Sequence, residues 1–388
     1  MHNQPTIESL TKQAIQDRRH LHQYPELSGE EFETCEMIRE RLEHLGIEIL
    51  DYARPSIIGF VKGTSGAKTL ALRADIDALP IQEEGDLPYA STRPGISHMC
   101  GHDGHTAVLL AVAEWLAANK ANVQPNVYLI FQSAEEISPS GAQALVAQGI
   151  LDTVDAVFGL HLWQGLKKGT FGLTHGPMMA SIDDFEVTIT GSGGHGSSPH
   201  EAVDPIYIST HVIQAFQNII SQKLNPLEAG IITVGKIEAG STANVIPTTA
   251  KLIGTIRALT PTAVTTIKQQ IVQMSEGICQ AFGATAEVEF IVGTPPLVND
   301  ETQARFVEQV LVDTFGEARV QLVDPTMGGE DFAYYLEKKP GAYLFVGMEG
   351  EVSAYPHHHP KFNIDEEVIP DAIRVFIEIL KQFKEDAQ

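Results

Sequence analysis

Residues 97–105 place three imidazoles (His98, His102, His105), the Cys100 thiol and the Asp103 carboxylate within nine positions. Gly101 and Gly104 leave the backbone between them free to aim those groups. A hydrophobic core does not call for this composition. A transition-metal site does, because imidazole and thiolate are the borderline-soft donors that Zn²⁺ and its neighbours prefer.

The rest of the chain offers further donors and a base. Three apolar runs, 70–74, 128–132 and 157–160, lead into Asp75 and Asp77, Glu135 and Glu136, and His161. Open α/β sheets place active sites at such strand ends. Adjacent glutamates ordinarily mark a solvated loop, but here they follow an apolar strand. One can bind metal while its neighbour serves as general base toward an activated water. A lone histidine at a strand end is ordinarily structural, and His161 gains a role only from its companions. His357, His358 and His359 form an internal run, of which at most one or two could reach a metal. Asp75 and Asp77 project to one side of a strand, so Asp77 can orient a ligand. His195 lies in a Gly/Ser loop and reads as a donor toward a substrate carbonyl rather than as a ligand. Asn244 and Arg257 are further polar candidates. Arg257 can grip a carboxylate in bidentate fashion, or simply pair with a surface acid.

The elements that must position these groups read as two textures. Up to about residue 177, helices at 7–24, 30–45, 106–118 and 141–148 interleave with strands at 57–62, 69–74, 126–132 and 155–161. Residues 63–66 read as the turn between the first two strands. Unbroken apolar strands between helices predict an α/β domain with a central mixed sheet covered by helices. Beyond it, strand 182–190, helix 204–220, strands 230–238 and 247–257, helix 260–282 and strand 286–292 follow the β-α-β-β-α-β order of a ferredoxin-like α+β insert. The expected division is 1–179 with 294–388 as one discontinuous domain, and 180–293 as the insert. A helix at 301–315, a strand at 342–346 and a helix at 366–383 close the chain.

The formal net charge of −24 argues against nucleic-acid or anionic-membrane partners. Three scattered cysteines argue against a disulfide framework. With no apolar run of signal-peptide or membrane-span length, they suggest the cytoplasm.

The motifs at 19–26, 72–80, 99–105, 131–136, 159–161, 193–195, 244–247, 254–257, 329–332 and 358–362 together resemble the aminoacylase/carboxypeptidase group of dinuclear metallohydrolases. Within it, the chain is similar to the amidohydrolase branch of hippurate hydrolases, indole-acetyl-amino-acid hydrolases and N-acetyl-amino-acid deacetylases. The resemblance implies a catalytic α/β domain with an inserted lid that also forms a homodimer. It implies two divalent ions (Zn, Mn, Co or Ni) held by Cys100, His102, Glu136, His161 and His358, with Cys100 bridging. It implies Glu135 as general base, Asp77 as support, and His195 as the lid group that polarises the scissile carbonyl in the partner subunit. Asn244 and Arg257 match lid positions near the substrate. Where this chain has His357 the group often has leucine.

The expected reaction is hydrolysis of an N-acyl-L-amino acid at its amide bond. A metallo-exopeptidase with the same centre is the alternative. A metal-binding module would not need the spare carboxylate of Glu135. A cysteine hydrolase built on Cys100 would not need the two glutamates and the distant histidines.

Overall fold

All seven side chains of the strand Thr69–Asp75 are buried, as are six of seven in Asn126–Gln132. Side chains alternate across a strand, so the sheet is covered on both faces at these two strands. The computed structural model describes residues 4–52 and 54–383. Its main sheet has eight strands, in the spatial order Glu48–Leu50, Ile57–Val61, Asn126–Gln132, Thr69–Asp75, Ala156–Lys167, Gly341–Glu349, Phe171–Leu173 and Val320–Leu322. The four central strands from Asn126–Gln132 to Gly341–Glu349 are parallel. Ile57–Val61 joins antiparallel, which makes the sheet mixed.

The strands at 57–61 and 69–75 are therefore not a hairpin. Asn126–Gln132 lies between them, and 69–75 pairs in parallel with it. A short Gly/Ser link joins them across that strand, a connection that local turn chemistry alone does not distinguish from a hairpin.

The helix His102–Asn119 has 15 buried residues and packs between the sheet and the helices Ile7–Gln23 and Ile369–Gln382. It starts four residues earlier than its Ala/Leu-rich stretch suggests, so His102, Asp103 and His105 sit in its first turn. Gly101 precedes it at φ 101°, a conformation costly for any residue with a Cβ.

The described chain divides into two compact units. The first comprises residues 1–176, 299–324 and 334–388, and the second 177–298 and 325–333. The second unit carries a four-stranded antiparallel sheet ordered Gly230–Ala239, Thr249–Ala258, Asp183–Thr190, Thr285–Val292. The helices Pro205–Gln222 and Pro261–Ala281 pack on it around Phe185, Val187, Leu252, Ile256, Phe216 and Ile267. None of the helices among the described residues is long and apolar enough to cross a membrane.

Candidate active site

Cys100, His102 and His161 each offer a ligand atom within 4.8 Å of the others, and so do Cys100, Glu136 and His358. The two triads share the Cys100 sulfur. His102, Glu135 and Glu136 form a third such group. All these residues belong to the first unit.

Backbone placement accounts for each. Cys100 and His102 flank the left-handed Gly101 at the start of the buried helix. That helix start is fixed from the opposite side by Asp103. Its Oδ2 accepts from Arg18 Nε at 2.8 Å and lies 2.9 Å from His22 Nδ1, both side chains being fully buried on the helix Ile7–Gln23. Glu135 and Glu136 follow Ala134, a non-glycine residue at φ 54°. The loop after them closes through the Gly141 N–H, which donates to the Ala134 carbonyl at 2.9 Å. A Cβ at Gly141 would stand 1.8 Å from the Ser133 carbonyl oxygen, so only glycine fits there.

His161 is in the interior of its strand, not at the end. Ala156–Lys167 continues six residues past it because pairing with Gly341–Glu349 extends the edge. His161 Nδ1 is 2.9 Å from the Leu162 carbonyl oxygen, which can only accept. The proton is therefore on Nδ1, and Nε2 presents its lone pair 3.6 Å from the Cys100 sulfur. His102 is oriented the same way. Its Nδ1 lies 3.0 Å from the Asp77 carbonyl oxygen and 3.1 Å from Asp77 Oδ1. Asp77 Oδ2 accepts from Ser28 Oγ at 2.7 Å and from the Glu136 N–H at 3.0 Å.

Of the three terminal histidines, only His358 reaches this cluster. Its N–H donates to the Met99 carbonyl at 2.7 Å, its φ is 64°, and its Nε2 lies 3.0 Å from Glu136 Oε1. His357 turns its ring against His161 and Trp163, and its Nε2 accepts from the Gln164 N–H at 3.4 Å. Burial and the neighbouring His358 push its pKa down to about 3. His359 stacks on Tyr355, and its Nδ1 accepts from the Lys361 N–H.

The donor set fits divalent ions. Glu136 Oε1 is buried and makes no hydrogen bond, although His358 Nε2 is 3.0 Å away. A carboxylate oxygen and an imidazole nitrogen that close, out of hydrogen-bond alignment, are placed to share a cation. Burial, with contributions from His105 and His357, holds the His161 imidazole well below its ordinary pKa, in the neutral form a metal requires. Burial and the Glu136 carboxylate push the Cys100 thiol well up. A bound divalent ion reverses that balance and makes the thiolate. Burial would lower the His102 pKa, but Asp75, Cys100 and Asp77 hold it well above the usual value. Positive charge is thus favoured at His102 Nε2.

Two supporting groups, Asp75 and His105, were named in sequence without these roles. Asp75 receives Arg73 Nη1 at 2.7 Å and His105 Nδ1 at 2.6 Å. Burial would raise the Asp75 carboxyl, but His102, His105 and Arg73 hold it well below the usual carboxylate range. His105 Nε2 accepts from the Leu162 N–H, which ties the helix start to the strand beside His161. A further supporting residue, Ser28, was not singled out in sequence and reaches Asp77.

In the second unit, His195 lies on a two-stranded ladder, paired with Val245, and Asn244 directly precedes that partner strand. The Ser197 N–H donates to His195 Nδ1 at 3.1 Å, so the ring proton is on Nε2. Asn244 Oδ1 accepts from Thr242 Oγ1, and its carbonyl accepts from the Gly196 N–H. Arg257 lies apart from them in sequence on the four-stranded sheet, paired with Ile231. Its guanidinium is held by Thr255 and the Ile256 carbonyl, with no carboxylate partner among the described residues.

Residues 71–382 match the model of peptidase family M20/M25/M40. The chain belongs to this family. It is 44% identical to N-acetyl-L-cysteine deacetylase of Bacillus subtilis, over 98% of this chain and 90% of that one. It is 38% identical to thermostable carboxypeptidase 1 of Saccharolobus solfataricus, over 92% and 91%. A crystal structure of the Bacillus subtilis YXEP protein, a dinuclear metal binding peptidase from M20 family, matches at TM-score 0.85 and 36% identity, covering 96% of this chain and 98% of that one. This M20 protein is a metal-dependent amidohydrolase with the family's α/β fold.

Proposed function

We propose that the protein hydrolyses the amide bond of N-acyl-L-amino acids, releasing a carboxylate and the free amino acid. The observation that carries this reading is Glu135, a carboxylate beside the donor atoms of His102 and Glu136 that the two Cys100-sharing triads do not include. Cys100, His102, Glu136, His161 and His358 would hold the metals, the Cys100 sulfur being common to both triads. Two divalent ions there (Zn, Mn, Co or Ni) would supply Lewis acidity toward the acyl oxygen and acidify the attacking water.

Glu135 takes the proton of that water as the C–O bond forms. When the C–N bond breaks, Glu135 returns the proton to the leaving amine, so atoms and charge balance. Asp77 keeps His102 in the tautomer whose Nε2 faces the donors. His195, protonated at Nε2, donates to the developing oxyanion, supplied by the insert of a second copy in a homodimer. In this reading 1–179 with 294–388 is the catalytic domain, and 180–293 is the lid that dimerises. Asn244 and Arg257 bind the substrate, with Arg257 gripping its carboxylate.

The deacetylase likeness supports an acyl-amino acid substrate. The carboxypeptidase likeness supports a second reading, a metallo-exopeptidase. The deciding experiment assays metal-reconstituted enzyme on N-acetyl-L-amino acids, N-benzoylglycine and dipeptides side by side. Higher kcat/KM on the acyl-amino acids supports the first reading, and preference for dipeptides replaces it with the second.

A further inference from the structure

Residues 26–31 form a strap along one side of the candidate site. The Glu26 carboxylate accepts the N–H groups of Glu33 at 3.2 Å and Thr34 at 2.8 Å, capping the helix Phe32–His44. Its carbonyl accepts the Ala78 N–H at 2.8 Å, and Leu27 bridges in parallel with Ala78. The strap is thereby fastened next to Asp77, which Ser28 also holds. At its far end the buried Glu31 turns its carboxyl inward, and Oε1 accepts the Ala134 N–H at 2.7 Å.

Ala134 is the pivot between the strand Asn126–Gln132 and the two glutamates. Its φ of 54° lies in the left-handed region, which a residue with a Cβ adopts only at a cost. A buried N–H there needs an acceptor, and the Glu31 oxygen is the one it has. The other oxygen, Oε2, is buried with no hydrogen-bond partner. Burial and the Asp77 carboxylate push the Glu31 pKa up to about 7. Among the described residues Glu31 makes no ion pair, and what it offers Ala134 is an sp² acceptor at the right reach.

We propose that Glu31 is a positioning residue that sets the direction of Glu135 and Glu136 by holding the Ala134 N–H in its left-handed turn, through acceptor geometry rather than through charge. This rests on the amidohydrolase reading of the two glutamates.

The test compares E31Q, E31D and E135Q with the wild-type holoenzyme on its best N-acetyl-L-amino acid. E31Q keeps the reach without the charge, and should retain kcat within about threefold. E31D keeps the charge but is one methylene short, and should lose kcat about 30-fold or more with KM within about threefold. Metal affinity, read by competition with a chromophoric chelator, should fall roughly tenfold in E31D and stay unchanged in E31Q. Glycine adopts the left-handed turn without help, so in an A134G background the E31D loss should shrink to about threefold. That background also provides the comparison if E31D alone does not fold. E31Q impaired as much as E31D, E31D like wild type, or equal E31D losses in both backgrounds would each overturn the proposal. Full activity of E135Q would remove the underlying reading, and the proposal with it. An inactive E135Q beside a normal E31D removes the positioning role alone.

Discussion

Asp77 Oδ1 stands 3.1 Å from His102 Nδ1, while its other oxygen receives the Glu136 N–H. One buried carboxylate thus orients two groups of the donor cluster that lie 34 positions apart in sequence (136 − 102). Removing such a partner typically costs ~10–100-fold in metal affinity or activity. D77A should show that loss in a metal titration. D77N, which keeps one acceptor for His102, should lose less. Wild-type affinity in D77A would show that His102 is held by other means.

Glu135 is expected to move protons and not to hold metal. E135Q should therefore bind the same metal equivalents as wild type, measured by elemental analysis, while kcat falls ~10²–10⁴-fold. Lost metal with the lost rate would reassign Glu135 as a ligand.

Chelation should abolish hydrolysis, and Zn, Mn, Co or Ni should restore it to differing extents. Metal that binds only the folded state stabilises it by about 2.7 kcal/mol at 100 times Kd. The melting temperature should thus rise with metal concentration. C100S, which removes the sulfur shared by both triads, should flatten that dependence. A melting temperature insensitive to metal would argue against binding at this cluster.

Glu31 gives a pH signature in the metal-free protein. Its folded pKa of about 7 lies above the ordinary carboxylate value near ~4.3. A carboxyl with a raised folded pKa binds more protons folded than unfolded, so wild-type stability declines as pH rises from about 4.3 to 7 and then levels. E31Q lacks this decline. The stability of E31Q relative to wild type should therefore climb across that window, as read by urea unfolding at a series of pH values. A difference independent of pH would mean that Glu31 ionises normally. Bound divalent ions should move the window to lower pH, since nearby positive charge favours the carboxylate.

Much of the fold was legible because its signals are local. The apolar run at 126–132 and the helix at 301–315 coincide with the observed elements to the residue. The donor types at Cys100, His102, Glu136 and His161 were legible because soft ligands and paired acids are rare companions. Non-local facts were not. Nothing in 57–75 announces that a strand from residue 126 enters between its two strands. The residues alone left His357, His358 and His359 open and only the resemblance implied His358, because what brings it to the cluster is a backbone bond to Met99 and a left-handed φ. The role of Glu31 depends on a partner 103 positions away.

The bond from the His358 N–H to the Met99 carbonyl joins positions 259 apart (358 − 99). Between them lie five strands of the main sheet, among them the one that carries His161, and the whole second unit. Contacts of such long span form late, after the loop-closure entropy of everything between has been met. On the ribosome, Cys100, His102, Glu136 and His161 emerge long before His358 does. A nascent chain therefore offers soft, incomplete donor sets until residue 358 has emerged.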